Sequence, residues 1–358
     1  MNESQSIARQ TIVVVLAAGK GTRMERNDLG KVCFQIDSVP AITRQIGVFK
    51  RKRFHRFLVV VGTQAEQVLD TAGKQHSGIM YVYQQPQLGT GHAAKMAAEA
   101  LQNLGYAGNV LVTAGDKYIE EAAIGALVDG FIRQQADMAL LTIPVTKTTE
   151  GSVGRVFVDS GGQALDIIER VDRARQAIAD GLREMMTKRR SLTGAQLVRT
   201  IARHIDDPRK QEVAVGELLA LARGKAAVDR SRLRKLLESD RYNLRIEGRA
   251  YSAQQIDRRC KWVNPSLYLF KAEAFYRGVG MIDNRNAQGE YYLTDVVRLL
   301  SGIRDSRGRR RYRVRAVGMD DPDCIQGFNS PDELLAIQDY ARRKKLGRLK
   351  SRPAAAGP

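Results

Sequence analysis

The stretch TIVVVLAAGKGTRM (residues 11–24) decides the fold of this chain. Its first half is an unbroken run of β-branched and other apolar residues, which is typical of a strand buried on both faces of a sheet. Gly19 and Gly21 follow at once, and glycines there let backbone N–H groups approach a phosphate or a base closely. The spacing matches neither the P-loop nor the dinucleotide-binding fingerprint. A tight connection from strand to helix, with no ligand, is the alternative that this stretch alone leaves open.

The same pattern continues downstream, where apolar runs alternate with helical stretches. Strands are predicted at 57–62, 79–83, 109–113 and 137–145, and helices at 42–50, 64–72, 91–104 and 119–135. This alternation predicts an α/β fold with a parallel sheet and helices on both of its faces. In such sheets ligands bind beyond the carboxyl ends of the strands. The remaining predicted elements are a hairpin at 154–158 and 164–171, strands at 266–270 and 313–317, and a helix at 330–345.

The charge of the chain is unevenly distributed. The 358 residues include 58 Lys and Arg against 39 Asp and Glu, a net charge of +19. Residues 172–261 carry a net +10 and residues 342–358 a net +7, which leaves the rest of the chain at +2. A protein that binds polyanions would more often charge the face of its core fold. We therefore expect the excess charge to be solvated and nucleic acid not to be a partner; contact with a polyanion or a membrane surface is the alternative.

Residues 172–261 differ from the rest of the chain in composition. They are rich in Arg, Leu and Ala, with apolar residues at helical spacing such as Leu197 and Ile201. This pattern predicts a basic helical insertion of three to five helices. The predicted domains are therefore a core formed by 1–171 and 262–341, the insertion 172–261, and a basic flexible tail at 342–358.

Cysteine usage and apolar runs indicate the compartment. Cys33, Cys260 and Cys324 have no metal-ligand spacing and cannot all pair, which favours a reducing cytosol. The apolar run 12–18 is far too short to span a bilayer, and it ends in a charged glycine loop rather than a cleavage site. We therefore expect a cytoplasmic protein with no signal peptide and no membrane insertion.

Four motifs in order along the chain carry a resemblance to a known family. They are LAAGKGTRM (16–24) with Lys31 after it, Gln84 with LGTGHA (88–93), NAQGEYYLTD (286–295) and GFN (327–329). Together they resemble the sugar-nucleotide pyrophosphorylases, and within them the uridylyltransferase domains that make UDP-N-acetylglucosamine. The resemblance implies a Rossmann-like nucleotide-diphospho-sugar transferase fold with a mixed, mostly parallel sheet. It also implies Mg²⁺-dependent nucleotidyl transfer from UTP to a sugar 1-phosphate.

The resemblance further implies roles for individual residues. Arg23 and Lys31 would be catalytic, holding the triphosphate and offsetting charge at the reacting phosphorus. Asp116 and Asn329 would bind Mg²⁺. The sugar would be held by Gly154, Glu169 and Asn264. The nucleotide would be bound by Leu16, Ala17, Ala18, Gly19, Gln84, Gly89 and Thr90.

The residues themselves agree with this chemistry. Asp116 follows the predicted strand 109–113 at its carboxyl end, and Mg²⁺ needs only one or two protein oxygens besides phosphates and waters. No nucleophilic side chain or general base is required, because a sugar phosphate can itself attack the α-phosphorus of UTP in line. Taken singly, Asp116 could instead be a helix cap, Glu169 a solvated carboxylate and Asn264 a turn residue.

Several departures from the family pattern fall at the phosphate, metal and sugar sites. Gly30 stands where the family usually has Pro, Lys117 replaces a small residue after the metal aspartate, and Pro265 follows the sugar asparagine. The insertion also separates the two proposed sugar-binding side chains. These departures leave the identity of the sugar open. Fewer than about 20 residues follow Tyr340, too few for a hexapeptide-repeat solenoid, so we expect no acetyltransferase activity.

Three other functions stay open on the sequence. They are a uridylyl- or thymidylyltransferase for another sugar phosphate, a catalytically silent regulator that binds nucleotide sugars, and an RNA-binding protein that works through the basic insertion. The insertion leaves the core after Glu169 and returns just before Asn264. We therefore expect it to border the sugar pocket as a lid or as a contact in a homo-oligomer; a decorative surface insertion is the alternative.

Overall fold

A computed structural model describes residues 2–19, 21, 24, 28–146, 149, 153–223, 227–286 and 288–350. The strands are β1 (Thr11–Leu16), β2 (Gln35–Ile36), β3 (Val39–Pro40), β4 (Arg56–Val61), β5 (Ile79–Tyr83), β6 (Asn109–Ala114), β7 (Lys117–Ile119), β8 (Met138–Pro144), β9 (Arg155–Val158), β10 (Ala164–Ile168), β11 (Arg245–Ile246), β12 (Arg249–Ala250), β13 (Trp262–Val263), β14 (Leu267–Lys271), β15 (Val314–Gly318) and β16 (Ile325–Gly327). The helices are α1 (Glu3–Arg9), α2 (Ala41–Arg51), α3 (Ala65–Gly73), α4 (Thr90–Asn103), α5 (Glu121–Arg133), α6 (Arg170–Lys188), α7 (Gly194–Ala202), α8 (Pro208–Ala222), α9 (Arg230–Glu238), α10 (Ala253–Arg259), α11 (Ala272–Gly280), α12 (Asp295–Gly302) and α13 (Pro331–Lys350).

A sheet of ten strands forms the centre of the described chain. Its order is β10-β9-β13-β8-β14-β6-β1-β4-β5, and β15 pairs with β8. β1 runs parallel to β4 and β6, whereas β14 runs antiparallel to β6 and β8. Followed pair by pair, seven of these described strands point one way, and β10, β13 and β14 point the other way. The predicted mixed, mostly parallel α/β sheet is therefore confirmed.

Helices cover both faces of this sheet, as the apolar run of β1 predicts. Val13 and Val15 pack into one apolar cluster with residues of α2, α3 and α5. Ile12 and Val14 pack into a second cluster with residues of α4, α11 and α12. Since side chains alternate across a strand, a strand that is apolar at every position supplies both layers.

The pairing of β13 and β14 determines where the sheet can accommodate a ligand. The two strands follow each other along one edge of β8. On its other edge, β14 pairs with β6, which ends at Ala114, while β13 pairs with β9, which begins at Arg155. The carboxyl end of β6, which leads to Asp116, therefore lies near the start of β9, which is preceded by Gly154.

Most predicted core elements are observed with bounds shifted by a residue or two, but two boundaries are wrong. The helix predicted at 119–135 begins only at Glu121, because Lys117–Ile119 form β7 and pair with β16. The strand predicted at 164–171 ends at Ile168, since α6 begins at Arg170. Helices α1 and α11 were not predicted. The pairing of β7 depends on a segment some 200 positions away, which no local pattern can show.

The region predicted as an insertion contains five helices, α6 to α10, and the hairpin β11–β12. Helices α6 to α9 share an apolar core of their own, which includes Ile178, Leu197 and Leu218. Helix α8 begins at Pro208 because proline fits the first helical position, and Asp207 accepts a hydrogen bond from the N–H of Arg209. Asp207 followed by Pro208 therefore marks the start of this helix.

The insertion contacts the sheet on the side of β9. The ring of Tyr251 lies 5.1 Å from that of Phe157, measured between centroids. Arg173 of α6 forms an ion pair with Asp257 of α10 at 2.5 Å. These contacts hold the two ends of the insertion close together at the edge of the sheet.

The last described helix, α13, runs to Lys350. The first part of the segment predicted as a flexible tail is therefore helical, and residues 351–358 lie outside the described residues. None of the helices in the described part of the chain is long and apolar enough to cross a membrane. Cys33, Cys260 and Cys324 are buried and free. The predicted cytoplasmic location stays a prediction.

Candidate active site

A cavity of about 380 Å³ lies at the carboxyl ends of β1 and β6. It is lined by Leu16, Ala17, Ala18, Gly19, Gly21, Lys31, Val32, Gln84, Gln87, Gly89, Thr90, Ala93, Ala114, Asp116, Glu290 and Asn329. One space thus brings together all the residues predicted to bind the nucleotide and the metal, and Lys31 with them. Arg23, the other predicted catalytic residue, lies outside the described residues.

The backbone after β1 is held in place beside the cavity. The carbonyl of Leu16 accepts a hydrogen bond from the N–H of Gly115 at 2.9 Å, which keeps β1 and β6 in register beyond their ends. The side-chain amide of Gln87 donates to the carbonyl of Ala18. The main chain predicted to contact the nucleotide is therefore fixed on two sides. Gln87 was not predicted as a site residue, although it stands only three positions after Gln84.

Gln84 and Gly89 lie together in the cavity. The side chain of Gln84 is 4% exposed, and its Nε2 donates to the carbonyl of Gly89 at 3.1 Å. Gly89 has a φ of +103°, and a Cβ there would lie 2.7 Å from the carbonyl oxygen of Tyr291. Only glycine fits this position, because a side chain would be both strained and in collision.

Residues of the motif at 286–295 support this loop. The N–H of Gly91 donates to the carbonyl of Tyr291 at 2.7 Å, and the hydroxyl of Thr90 accepts from the N–H of Leu293 at 3.2 Å. Glu290 itself lines the cavity. The sequence alone assigns no binding or structural role to the residues of this motif. In the structure it fixes the loop at 88–91 and closes one side of the cavity.

Lys31, Asp116 and Asn329 meet at another part of the cavity. Nζ of Lys31 contacts Oδ2 of Asp116 and lies 2.9 Å from Oδ1 of Asn329. The two oxygens therefore lie within two hydrogen-bond lengths of each other. The pairing of β7 with β16 explains how they meet, because β7 directly follows Asp116 and β16 directly precedes Phe328 and Asn329.

The charges around Asp116 favour its carboxylate form. Burial raises the pKa of Asp116, but the charges of Lys31 and Lys117 outweigh this effect and hold the pKa below its ordinary value. Burial lowers the pKa of Lys117, and the nearby charge of Asp116 opposes that change. The side chain of Lys117 passes directly over Gly327, where it leaves no room for a Cβ. Two cationic side chains therefore flank one buried carboxylate.

This group of oxygens fits a hard cation. Oδ1 of Asp116 is buried and has no hydrogen-bond partner in the described chain. Oδ2 of Asp116 and Oδ1 of Asn329 both already face a positive charge, that of Lys31. Carboxylate and amide oxygens are ligands that Mg²⁺ accepts, with phosphates and waters completing its shell. No cluster of three or more His, Cys, Asp and Glu among the described residues offers an alternative metal site.

The three predicted sugar-binding residues lie close to one another but do not line the cavity. The N–H of Asn264 donates to the carbonyl of Gly154 at 3.0 Å. A Cβ on Gly154 would lie 3.4 Å from Oε1 of Glu169, so Gly154 and the carboxylate are neighbours. The same oxygen of Glu169 accepts a hydrogen bond from the hydroxyl of Thr294 at 2.8 Å.

The side chain of Asn264 is already occupied within the protein. It is 3% exposed, its Nδ2 donates to the hydroxyl of Tyr268 at 2.6 Å, and its Oδ1 accepts from the N–H of Ser266 at 3.0 Å. Asn264 therefore shapes the turn between β13 and β14. Glu169 is the side chain of this group with the greater capacity to bind a further hydroxyl group.

The carboxylates near Glu169 differ from Asp116 in their ionisation. Burial raises the pKa of Glu169 to about 7, and the charges of Asp172 and Asp295 add to the effect. Burial likewise raises the pKa of Asp166 to about 7 and that of Asp295 to about 6, with Arg298 opposing both shifts. This side of the site is therefore acidic and partly protonated near neutral pH.

Comparison with known families identifies the class of protein. Residues 13–192, about half of the chain, match the model of the MobA-like NTP transferase domain. The chain belongs to this family of nucleotidyltransferase domains. The matched range includes the glycine loop, Lys31, the loop at 84–93 and Asp116, which together account for most of the cavity.

Individual relatives point to the sugar-nucleotide branch. Bifunctional protein GlmU of Synechococcus sp. (strain CC9902) is 38% identical over 333 residues, which cover 93% of this chain and 52% of the relative. Bifunctional protein GlmU of Lactococcus lactis subsp. cremoris (strain SK11) is 36% identical over 332 residues, covering 92% and 52%. The chain thus spans about half the length of the curated relatives it matches. The predicted family is confirmed.

A solved structure supports the fold. A protein from Bacillus anthracis described as a glucose-1-phosphate thymidylyltransferase superposes with a TM-score of 0.54. The match covers 93% of this chain and 95% of the other, at 13% identity. At that identity the likeness concerns the fold alone, and it agrees with the predicted Rossmann-like nucleotidyltransferase architecture.

Proposed function

We propose that this protein transfers a uridylyl group from UTP to N-acetylglucosamine 1-phosphate or a similar sugar 1-phosphate and releases pyrophosphate. The observation that carries this proposal is the set of residues that line the cavity. It holds Gln84 and Gly89, which suit the edge of a pyrimidine, together with Lys31, Asp116 and Asn329, which suit phosphates and a cation. The relatives named GlmU and the motifs that resemble uridylyltransferase domains support the choice of UTP.

The reaction needs positioning and charge rather than a nucleophilic side chain. An oxygen of the sugar phosphate forms a bond to the α-phosphorus of UTP, and the bond from that phosphorus to the bridging oxygen of pyrophosphate breaks. Lys31 would turn from Asp116 toward the triphosphate and offset the charge that develops on the leaving pyrophosphate. Arg23 would add a second positive charge from the glycine loop.

Asp116 and Asn329 would hold Mg²⁺. When bound, the ion would neutralise part of the negative charge of the triphosphate. The lowered pKa of Asp116 keeps the carboxylate ionised, and its buried Oδ1 is available for a ligand. Asp116 can therefore offer its Oδ1 to a cation without breaking a hydrogen bond at that atom. Oδ1 of Asn329, which now faces Lys31, would be the second protein ligand.

The sugar would bind on the side of Gly154, Glu169 and Asn264. Glu169 would accept or donate a hydrogen bond at a sugar hydroxyl, while Asn264 would act mainly through the turn that it shapes. Because α6 begins directly after Glu169, the helices of the insertion start at this side of the site. The insertion would serve as a lid over the sugar or as a contact between subunits.

A thymidylyltransferase or an enzyme for another sugar 1-phosphate is the second candidate. This candidate stays open because uracil and thymine share the edge that Gln84 and Gly89, both of which line the cavity, would read. Lys117 beside the metal aspartate is the feature of the chain that favours a silent nucleotide-sugar-binding regulator.

A pyrophosphate-release assay tests these proposals. Purified protein is incubated with Mg²⁺ and each pairing of UTP, TTP, CTP, ATP or GTP with a panel of hexose and N-acetylhexosamine 1-phosphates. We expect release with UTP and an N-acetylhexosamine 1-phosphate, less with TTP, and none in excess EDTA. Equal rates with ATP would contradict the base assignment, and no release with any pair would favour the regulator.

A further inference from the structure

His92 lies beside the side chain that we propose reads the base. Its Nδ1 is 3.1 Å from Nε2 of Gln84, and the same Nε2 donates to the carbonyl of Gly89, also at 3.1 Å. Gln84 is buried and lines the cavity. The nitrogen of this amide therefore lies within hydrogen-bond distance of two groups, the carbonyl of Gly89 and the ring of His92.

These partners determine which way the amide of Gln84 faces. A backbone carbonyl can only accept, so Gly89 requires the NH₂ group and excludes the oxygen at this point. A neutral imidazole accepts at one nitrogen, so Nδ1 of His92 accepts from Gln84 when Nε2 of the ring carries the proton. With both amide protons used, Oε1 is the part of the Gln84 side chain that can serve a ligand, and it can only accept.

The position of His92 is itself fixed. It stands in the first turn of α4, directly after Gly91, whose N–H is bonded to the carbonyl of Tyr291 at 2.7 Å. Its ring lies 6.0 Å from the ring of Tyr291, measured between centroids. The acceptor at Nδ1 is therefore presented by a helix that is anchored to a second segment of the chain.

We propose that His92 is a specificity-determining residue that holds the Gln84 amide with Oε1 toward the base. Uracil and thymine present an N–H at position 3, which Oε1 can accept. Cytosine presents a lone pair there, which Oε1 repels, and a turned amide that could pair with cytosine would place its oxygen against the carbonyl of Gly89. The inference rests on the proposed function, because it requires a pyrimidine nucleotide in this cavity.

A purely structural role for His92 makes a different prediction. If His92 only packs against Tyr291, its loss would weaken UTP and CTP binding alike. If it orients Gln84, its loss would change the ratio of the two affinities. His92→Phe keeps a ring but removes the acceptor, whereas His92→Asn offers an amide oxygen near the position of Nδ1. His55→Phe is the matched control, because His55 is exposed and precedes β4, which places it at the amino end of the parallel strands, opposite the end that forms the cavity.

The experiment measures the dissociation constants of UTP and CTP by isothermal titration calorimetry on the full chain, beside pyrophosphate release. We expect the wild type to prefer UTP. His92→Phe should reduce that preference by about fivefold to tenfold, as for the loss of one hydrogen bond. His92→Asn should restore most of it, and His55→Phe should not change it. If His92→Phe does not fold, His92→Leu takes its place in the comparison with His92→Asn.

The outcomes separate this inference from the proposed function. An unchanged UTP-to-CTP ratio in His92→Phe, an equal loss of both affinities, or no rescue by His92→Asn would overturn the role of His92 while wild-type activity with UTP stands. A wild type that binds neither nucleotide and releases no pyrophosphate would overturn the proposed function, and the inference with it.

Discussion

The proposed nucleotide side and the proposed sugar side of the site shift the pKa of their carboxyl groups in opposite directions. Asp116 lies between two lysines, and its pKa is held below the ordinary value. Asp166 is buried and Glu169 is half-buried, both lie near other acids, and desolvation raises the pKa of each to about 7. Burial alone therefore does not determine the direction in which the pKa of a carboxyl group shifts, because the charges of neighbouring groups can outweigh it. The side of Asp116 therefore suits the cation and phosphates that we propose, while the side of Glu169 is expected to respond to pH.

The two sides also differ in the elements that build them. The proposed nucleotide side follows the ends of the parallel strands β1 and β6. The sugar side is built from β9, β10 and the turn between β13 and β14, with α6 of the insertion beginning beside it. Changes on one side should therefore leave binding to the other side intact.

The largest effect is expected at Asp116. In Asp116→Asn, Lys31 loses its ionic partner and the cation loses its carboxylate ligand, so turnover should fall by roughly 10²–10³-fold. Steady-state pyrophosphate release measures the loss, and circular dichroism checks that the fold is retained. Asp70→Asn is the matched control, because Asp70 forms an exposed ion pair with Lys74 on α3. Turnover that survives in Asp116→Asn would remove Asp116 from the proposed mechanism.

Replacing Glu169 should affect binding of the sugar phosphate rather than of UTP. Glu169→Gln should raise the Michaelis constant for the sugar phosphate by about tenfold, as for a hydrogen bond to a charged group, and leave the constant for UTP within about twofold. In the wild type the sugar constant should change between pH 6 and 8 as Glu169 ionises, and Glu169→Gln should flatten that profile. Glu184→Gln, on an exposed position of α6, serves as the control. Equal changes for UTP would contradict the independence of the two sides.

The raised pKa values also predict how stability depends on pH. Glu169 and Asp166 titrate near 7 in the folded protein and near 4 when unfolded, so the fold binds their protons more tightly. Their stabilising contribution is complete below about pH 4 and is lost as the pH rises through 7. The free energy of unfolding should therefore fall between pH 5 and 8, by about 5 kcal/mol at most for the two groups together. Urea denaturation across this range measures it, and Asp166→Asn should reduce the slope; an unchanged slope in that variant would contradict the assignment.

The fold could be predicted where local pattern determines it. The valine run of β1 and the alternation after it indicate a two-sided sheet, because burial on both faces leaves a continuous apolar signature. The strand β7 could not be predicted, since its three residues become a strand only by pairing with β16 far along the chain. Asp207 shows a third case, because aspartate followed by proline can mark either a turn or the start of a helix, and only the structure shows that it starts α8.

The sequence could predict which residues line the cavity near Lys31, but not the contacts between them. Motif order brought Lys31, Asp116 and Asn329 into one hypothesis, and the structure places all three at the cavity. The occupied amide of Asn264 and the acceptor that His92 gives to Gln84 depend on distances between side chains, which the sequence does not contain. The direction of each pKa shift depends on the same distances.

Replacing Lys117 should change the Mg²⁺ requirement, which is a smaller effect than those expected at Asp116 and Glu169. Its charge lies close to the proposed metal ligand, and it should repel a divalent cation there. In Lys117→Met, which keeps the side-chain stem over Gly327, the Mg²⁺ concentration for half-maximal activity should fall by about two- to fivefold. Lys74→Met, at an exposed position just after α3, should have no effect. A higher Mg²⁺ requirement would mean that Lys117 helps to bind the phosphates instead.

The smallest effect on activity is expected inside the insertion. Asp207 accepts hydrogen bonds from the first N–H groups of α8, which packs on α6, α7 and α9 rather than on the nucleotide cavity. Asp207→Ala should lower the free energy of unfolding by about 1 kcal/mol, because those N–H groups lose their acceptor. Asp207→Asn should be nearly neutral, since asparagine caps a helix about as well as aspartate. Urea denaturation compares the two variants, and calorimetry should give an unchanged dissociation constant for UTP. Equal stability of the alanine and asparagine variants would show that the cap contributes nothing, and weaker UTP binding in either would show that the insertion is coupled to the nucleotide side.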